Sequence, residues 1–452
     1  MTVTAGASRT NLTPFWGVEL AGWGYFLERT WQTVHDDLHA TAVVIDNDNT
    51  RLAIVSVDLM TIDESFTRSV RERVAAETEI EPTAILIAAT HTHNAPSAGG
   101  YLGVGEDNEL YRQWAIEQTA TAVIQADRQR EPVSLASATT RLAGQTFNRT
   151  RENGAVDPTL TTLRIDRTDG STLAFLVNFQ AHPTVATKLR PFAVSRDMPG
   201  DVCDAIEAAY PDALALYLQG SSGDVNFHRH YSTPERCGEP GRFTAGLAMA
   251  AQGDAKLLDA PKLGFISESV ELPTRRWTRE EIDHDRDEAQ RRLREIDMDG
   301  WQDTIGKVMT NHPEEMIARH GGDEWLAVRA MCRFNLAWTF EILKDWESRP
   351  ETLKTEVQVI QIGELTIIAN GSEFFSSLAL DVRNRLGVDH LMIVGYANGR
   401  IGYLPDAHDI AARSYAAYQS PKYCLQFPFT NASGPAMCDA MVKLVRSLDS
   451  RS

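Results

Sequence analysis

Cysteine is scarce in this sequence and is nowhere paired. Five thiols (Cys203, Cys237, Cys332, Cys424 and Cys438) stand far apart, with no Cys-x-x-Cys spacing. The odd count, in a chain of 452 residues that can bury a core without staples, points to free thiols in a reducing cytoplasm. Long apolar runs are also missing. No stretch approaches ~18 uncharged apolar residues, so stable membrane insertion is not expected. Positive charge is in deficit: 44 Lys and Arg stand against 62 Asp and Glu, leaving −18. Phosphate backbones want clustered Lys and Arg, so a nucleic-acid partner is not expected either. The opening MTVTAGASRTNLTPFWGVELAGWG has no charged segment leading into an apolar one. It reads as lacking a signal peptide, which again favours the cytoplasm. There is no internal repeat and no low-complexity linker. With 43% hydrophobic and 23% charged residues, the composition is that of a globular protein, and excludes a disordered chain, a collagen and a coiled coil.

What is present alternates between strand-like and helix-like text. Thr41–Asp46 and Arg51–Leu59 are β-branched and apolar, with turn-forming residues between them, which predicts a hairpin. Thr61 and Glu64 match a capping box, and Phe66, Val70 and Val74 follow at helical spacing. Ala84–Ala89 is a short apolar run of the kind found in buried strands. Further strands are expected at Leu173–Phe179, Ala213–Leu218, Glu356–Ile362, Glu364–Ala369 and His390–Tyr396. Helices are expected at Asn108 to about Gln125, Asp201–Tyr210 and Phe374–Leu386. The fold class is therefore α/β (α+β): a mixed β-sheet core flanked by helices. Between Trp277 and Pro350 charged helical text gives way to a Trp-rich helix around Glu324–Trp346. This segment reads as a helical insertion or cap on the core, its charge run a solvated helix face.

Several chemistry-bearing residues follow apolar strands closely. Thr90-His91-Thr92-His93-Asn94-Ala95-Pro96 comes directly after Ala84–Ala89. If the strand continues, His91 and His93 project from one face and suit a metal ion or an acid/base pair; two loop histidines are the plain alternative. His182 precedes Pro183, which keeps it extended. It reads as a ligand or as a hydrogen-bonded structural histidine. Glu373, in Gly371-Ser372-Glu373-Phe374, can ligate a metal or stabilise a helix N-terminus. Tyr403 follows the 390–396 strand, and a lone Tyr is commonly packing. All four lie near strand ends, where open α/β sheets gather their ligand sites. Gln219–Asn226 is a small-residue loop, either an oxyanion or anion nest or a tight turn with Asp224 as an internal acceptor. It is not Gly-x-Ser-x-Gly, so no nucleophile elbow is expected. His228 and His230 form a rival pair, but Arg229 between them would repel a cation; they could instead line a pocket mouth.

These segments together resemble the neutral/alkaline non-lysosomal ceramidases. The matching text runs in order through Val34-His35-Asp36-Asp37-Leu38, Thr90–Pro96, Phe147-Asn148-Arg149, Ala181-His182-Pro183-Thr184, Gly223-Asp224-Val225, Gly371–Phe374 and Tyr396-Ala397-Asn398 with Gly402-Tyr403. The resemblance implies the fold of that family's N-terminal catalytic domain, over a single catalytic domain 1–452 that includes the 277–350 insertion. It implies Zn2+ held by His91, His182, Glu373 and Tyr403, with His93 beside the reaction centre and Arg149 and Tyr415 as further catalytic residues. Gly223, Asp224 and His228 would touch substrate. There are two departures. Where the family has Gly-Asp-Val-Ser-Pro-Asn, this chain has Gly223-Asp224-Val225-Asn226-Phe227-His228, so Asn226 replaces the family's Ser. The chain also stops near 452, without the immunoglobulin-like domain that follows in full ceramidases.

Asn cannot form an acyl-enzyme, so the expected route is attack by zinc-bound hydroxide, generated because zinc brings water towards a pKa of ~7. His93 would move a proton to the leaving nitrogen, and Arg149, Tyr415 and Asn226 would meet the carbonyl oxygen as it becomes an oxyanion. The expected activity is hydrolysis of a non-peptide amide in a small molecule, smaller or more polar than ceramide. The alternatives are a ceramidase or N-acyl lipid amidase, and a metal-binding homologue without catalysis. The sequence leaves a homo-oligomer open.

Overall fold

A computed structural model of the chain describes residues 3–302 and 313–450. Two mixed sheets with flanking helices make an α/β fold. The larger sheet runs in spatial order Leu214–Gln219, Thr172–Phe179, Thr159–Arg167, Glu131–Arg141, Thr4–Asn11, His39–Asp46, Arg51–Val57 and Ile85–Ala89; Lys256–Leu257 also pairs with Glu131–Arg141. The inner pairs are antiparallel. The pair at each end is parallel. The smaller sheet runs Leu263–Pro273, Thr352–Ile362, Leu365–Asn370 and Leu391–Val394, the last pair parallel.

The ends of these sheets come together. Ser56 Oγ donates to the Tyr217 carbonyl at 2.7 Å. Ala89 N donates to the Tyr396 carbonyl at 3.1 Å, and Gly395 N to the Gln219 carbonyl at 3.0 Å. The carboxyl ends of strands 51–57, 85–89, 172–179, 214–219, 365–370 and 391–394 thus gather at one seam, where α/β folds place their ligand sites. The strands there are apolar on both faces; every residue of Ile85–Ala89 is buried. All five cysteines are free, and four of them are buried.

The predicted elements are present with shifted boundaries. The hairpin is His39–Asp46 paired with Arg51–Val57, ending before Leu59. The helix Glu64–Glu77 is capped by Asp63, whose carboxylate accepts from Phe66 N at 2.7 Å. The Thr61–Glu64 capping box is therefore corrected, because Asp63 stands nearer the first turn and is an equally good cap. The helix expected from Asp201 starts at Asp197, since Pro199 is tolerated in a first turn. Ser372–Phe374 is a short strand, and the helix expected from Phe374 begins at Ser376. Within 277–350 the described helices are Arg279–Glu295, Pro313–Arg319 and Glu324–Leu343; residues 303–312 lie outside the described part. Trp277, Trp301 and Trp338 are fully buried in a cluster with Met331, Phe334, Tyr423 and Phe427, so they pack this segment onto the core.

Candidate active site

Strand Ile85–Ala89 ends one residue before the Thr-His-Thr-His segment, and the backbone then turns. Thr90 N donates to the Val57 carbonyl at 2.9 Å and His91 N to the Leu59 carbonyl at 3.1 Å, with His91 left-handed at φ 64°. His91 and His93 are thus brought together by a turn, and the expected strand alternation is corrected. His182 hangs from the end of Thr172–Phe179, its N–H on the Val225 carbonyl at 2.9 Å. Glu373 and Tyr403 come from short strands that pair in parallel, Ser372–Phe374 with Gly402–Leu404, in a register that sets the two residues side by side.

Three imidazoles converge. The Nε2 atoms of His91 and His182 lie 3.2 Å apart, those of His93 and His91 3.3 Å, and those of His93 and His182 3.1 Å. His91 Nδ1 is 2.7 Å from the Met60 carbonyl and His182 Nδ1 is 3.2 Å from the Ser222 carbonyl. A carbonyl can only accept, so each Nδ1 carries the proton and each Nε2 presents a lone pair. Burial, then His91, hold the His93 imidazole well below 6.5; burial, then Arg149, do the same for His182. Glu373 Oε2 lies 3.4 Å from His91 Nε2 and 4.0 Å from His182 Nε2, buried and without a hydrogen-bond partner.

This donor set fits a divalent cation. Imidazoles sharing a tetrahedral Zn2+ place their nitrogens about 3.3 Å apart. Lone pairs facing one another beside an orphaned carboxylate oxygen are unfavourable without a positive charge among them. The carbonyls of Met60 and Ser222 are the kind of outer partners that orient metal-binding histidines. His91 also stacks on Tyr396, with ring centres 4.1 Å apart.

The Tyr403 hydroxyl accepts from Arg149 Nη2 at 2.6 Å. Burial lifts its phenol well above the usual range, against the pull of Arg149. Arg149 also donates to the Gly223 carbonyl, at 2.9 Å from Nη2. Burial opposes its charge, but Tyr403 and Glu373 outweigh that and hold it above its ordinary pKa. A cavity of about 110 Å³ opens against this group, walled by His93, His182, Arg149, Tyr403, Tyr415 and Asn226. Asn226 Oδ1 is buried there without a partner.

Other expected residues sit elsewhere. The Asp224 carboxylate accepts from Asn148 Nδ2 at 2.6 Å and from Ser376 N at 2.8 Å, and burial pushes it up to about 7. It is the internal acceptor of its loop and does not line the cavity. Gly223 stands behind the wall, where an added Cβ would lie 2.4 Å from the Glu373 carbonyl oxygen. Four of the loop's N–H groups are already used: Gly220 N on Phe179, Ser222 N on Gly220, Gly223 N on Phe374 and Val225 N on Ser222. Those four support the tight-turn reading of this loop, with Asp224 as its internal acceptor. His228 stacks on Phe147 and His230 and joins neither the imidazole cluster nor the cavity wall. The wall's tryptophan is Trp23, and the helical segment contributes Arg319 instead of its own tryptophans. Sequence reasoning missed Gly22, whose missing side chain leaves room for the His93 ring: an added Cβ would lie 2.6 Å from its Cγ.

Residues 4–256 match the neutral/alkaline non-lysosomal ceramidase N-terminal family. The chain belongs to that family. Ceramidase-family membership supports a hydrolase acting on an amide bond. The matched segment carries all three imidazoles, whereas Glu373 and Tyr403 lie beyond it. The whole chain also superposes on solved ceramidases. Neutral ceramidase from Pseudomonas aeruginosa gives a TM-score of 0.72 at 18% identity, over 100% of this chain and 75% of that one. A ceramidase complexed with C2 gives 0.72 at 17%, over 100% and 76%. At these identities the likeness establishes the fold. A comparison with curated proteins finds no match. Among the described residues no helix is long and apolar enough to cross a membrane.

Proposed function

We propose that this ceramidase-family chain is a zinc-dependent amidohydrolase whose substrate is smaller or more polar than ceramide. One observation carries the reading: the Nε2 lone pairs of His91 and His182 lie 3.2 Å apart beside the orphaned Glu373 Oε2, with His93 Nε2 within 3.3 Å of both. His91, His182, Glu373 and Tyr403 would hold the cation, and imidazole with carboxylate suits zinc. When bound, such an ion polarises a carbonyl and brings water towards a pKa of ~7.

The chain's own residues do the rest. His93, kept neutral by burial, accepts a proton from water and returns it to the leaving nitrogen. Arg149 stays cationic and, anchored by the Gly223 carbonyl, faces the oxygen that gains charge as water adds to the carbonyl carbon. Asn226 and Tyr415 bind the same oxygen from the cavity wall. The C–N bond then breaks, giving a carboxylic acid and an amine. The resemblance puts Asn226 at the family's Ser position, and Asn cannot be acylated, which supports direct addition of water as the route. The cavity beside the imidazoles is lined mostly by polar and charged side chains, which suits a polar amide better than a long-chain lipid. Soluble surroundings, the cytoplasm in our reading, fit such a substrate.

The test is metal analysis of the purified protein beside His91→Ala and Glu373→Ala, with turnover of N-acyl compounds from short polar to long-chain. Near-stoichiometric zinc, lost in both variants, with short polar amides turned over best, is expected. Metal content unchanged in the variants would overturn the site, and preferred ceramide turnover would overturn the substrate class.

A further inference from the structure

The cavity beside the imidazoles is basic well beyond what the chemistry above uses. Arg149, Lys188, Arg229 and Arg319 stand on its walls, and among the described residues no Asp or Glu does. In a chain of net charge −18 this is a concentrated exception. Three of the four are engaged within the protein: Arg149 holds Tyr403 and the Gly223 carbonyl, Lys188 pairs with Glu315, and Arg229 has contacts of its own.

Arg319 differs. Its Nη1 is buried and has no hydrogen-bond partner, and among the described residues no carboxylate lies within ion-pair distance of it. Its guanidinium lies 4.5 Å from the centre of the Trp23 ring, which Arg29 approaches at 4.2 Å. A ring already facing one buried cation gives limited compensation to a second. Burial accordingly pulls Arg319 below its ordinary pKa. The residue stands where the polar cavity meets a second recess of about 200 Å³ walled by Trp23, Phe26, Pro191 and Phe192, with Glu315 on the same wall but paired to Lys188. A planar fork with an unused donor, in a water-poor wall, is the group that binds carboxylates best.

We propose that the substrate is an amide whose far end carries a carboxylate, and that Arg319 is the residue that receives it. This rests on the hydrolase reading for the word substrate; the anion-binding claim is separable from it. Ceramide is uncharged, so the proposal sets this chain's specificity apart from what its family name conveys. Arg319 acts at a distance from the reacting carbonyl, as a specificity determinant.

The test uses the metal-loaded protein and titration calorimetry with a series of N-acetyl ω-amino acids, from glycine to aminohexanoate, beside their carboxamides. The members of each pair differ in the charge of the far end. For at least one chain length the acid should bind wild type about tenfold more tightly than its amide. Arg319→Gln should abolish that preference and Arg319→Lys should keep most of it, which separates lost charge from lost fold. Hydrolysis of the same compounds is followed in parallel. A carboxylate preference without any turnover would sink the hydrolase reading and leave the anion site standing. Equal binding of acid and amide at every length, no binding of either, or a preference that survives Arg319→Gln because the imidazole-bound cation holds the carboxylate, would overturn the proposal.

Discussion

His91 sits in the left-handed region at φ 64°, where a non-glycine residue costs on the order of 1–3 kcal/mol unless its surroundings impose it. They do: its N–H is held by Leu59, its Nδ1 by Met60 and its ring by Tyr396. Behind it, Asp58 accepts from Thr90 Oγ1 at 3.1 Å and from His39 N at 3.0 Å. Burial raises this carboxyl from 3.8 to about 6, against the pull of Arg196. Between those values the folded chain keeps a proton that the unfolded chain has released, so Asp58 removes stability as pH rises through that window. Asp58→Asn has no such proton. Its urea midpoint should gain on wild type as pH rises from about 4 to about 6, by up to ~1.4 kcal/mol per pH unit; parallel pH profiles would refute the shift. The candidate site residues were legible as types at spacings, since His91, His93, His182 and Glu373 each follow an apolar run. Their partners were not. Met60 and Ser222 act through carbonyls that any residue supplies, and Gly22 acts through an absent side chain.

At the scale of elements, the pairing of Ser372–Phe374 with Gly402–Leu404 does most to build the site, and each strand is only three residues long. So short a strand leaves no alternation to read, and the sequence instead predicted a helix from Phe374. The long strands Glu131–Arg141 and Leu263–Pro273 escaped because polar residues interrupt them, and their burial is mixed. The helical segment was legible from its charge and tryptophan content, and its entry is well specified. Thr278 Oγ1 accepts from Glu281 N at 3.1 Å, and the Glu281 carboxylate accepts from Thr278 N at 3.0 Å, a reciprocal cap on Arg279–Glu295. Glu281 also holds Arg275 and Arg413, so this turn ties the segment to the strand before it and to the region of Tyr415. Thr278→Ala should destabilise the helix by about 1 kcal/mol. Hydrogen exchange should show faster exchange confined to residues 279–295, with strand 85–89 unchanged. Uniform protection in both would mean the cap is redundant.

Across the whole molecule, the candidate site is a fastening between distant parts of the chain. The imidazoles come from loops of the larger sheet, and Glu373 and Tyr403 from segments that follow the helical insertion and pack on the smaller sheet. That the strand ends meet follows from sheet closure, through contacts such as Ser56 with Tyr217, which no local pattern encodes. An ion bound there contacts both parts and has no comparable site in the unfolded chain, so it stabilises the folded state by mass action, about 2.7 kcal/mol at a hundredfold excess over its dissociation constant. Without it, the converging lone pairs and the buried Glu373 oxygen strain the same seam. Chelation should therefore lower the thermal midpoint of the wild-type protein, and added zinc should restore it. His182→Ala, lacking one imidazole, should start lower and respond to neither treatment. A wild-type midpoint indifferent to chelator, in protein shown to have lost its metal, would mean that the two sheets hold together without the ion and that the donors converge for another reason.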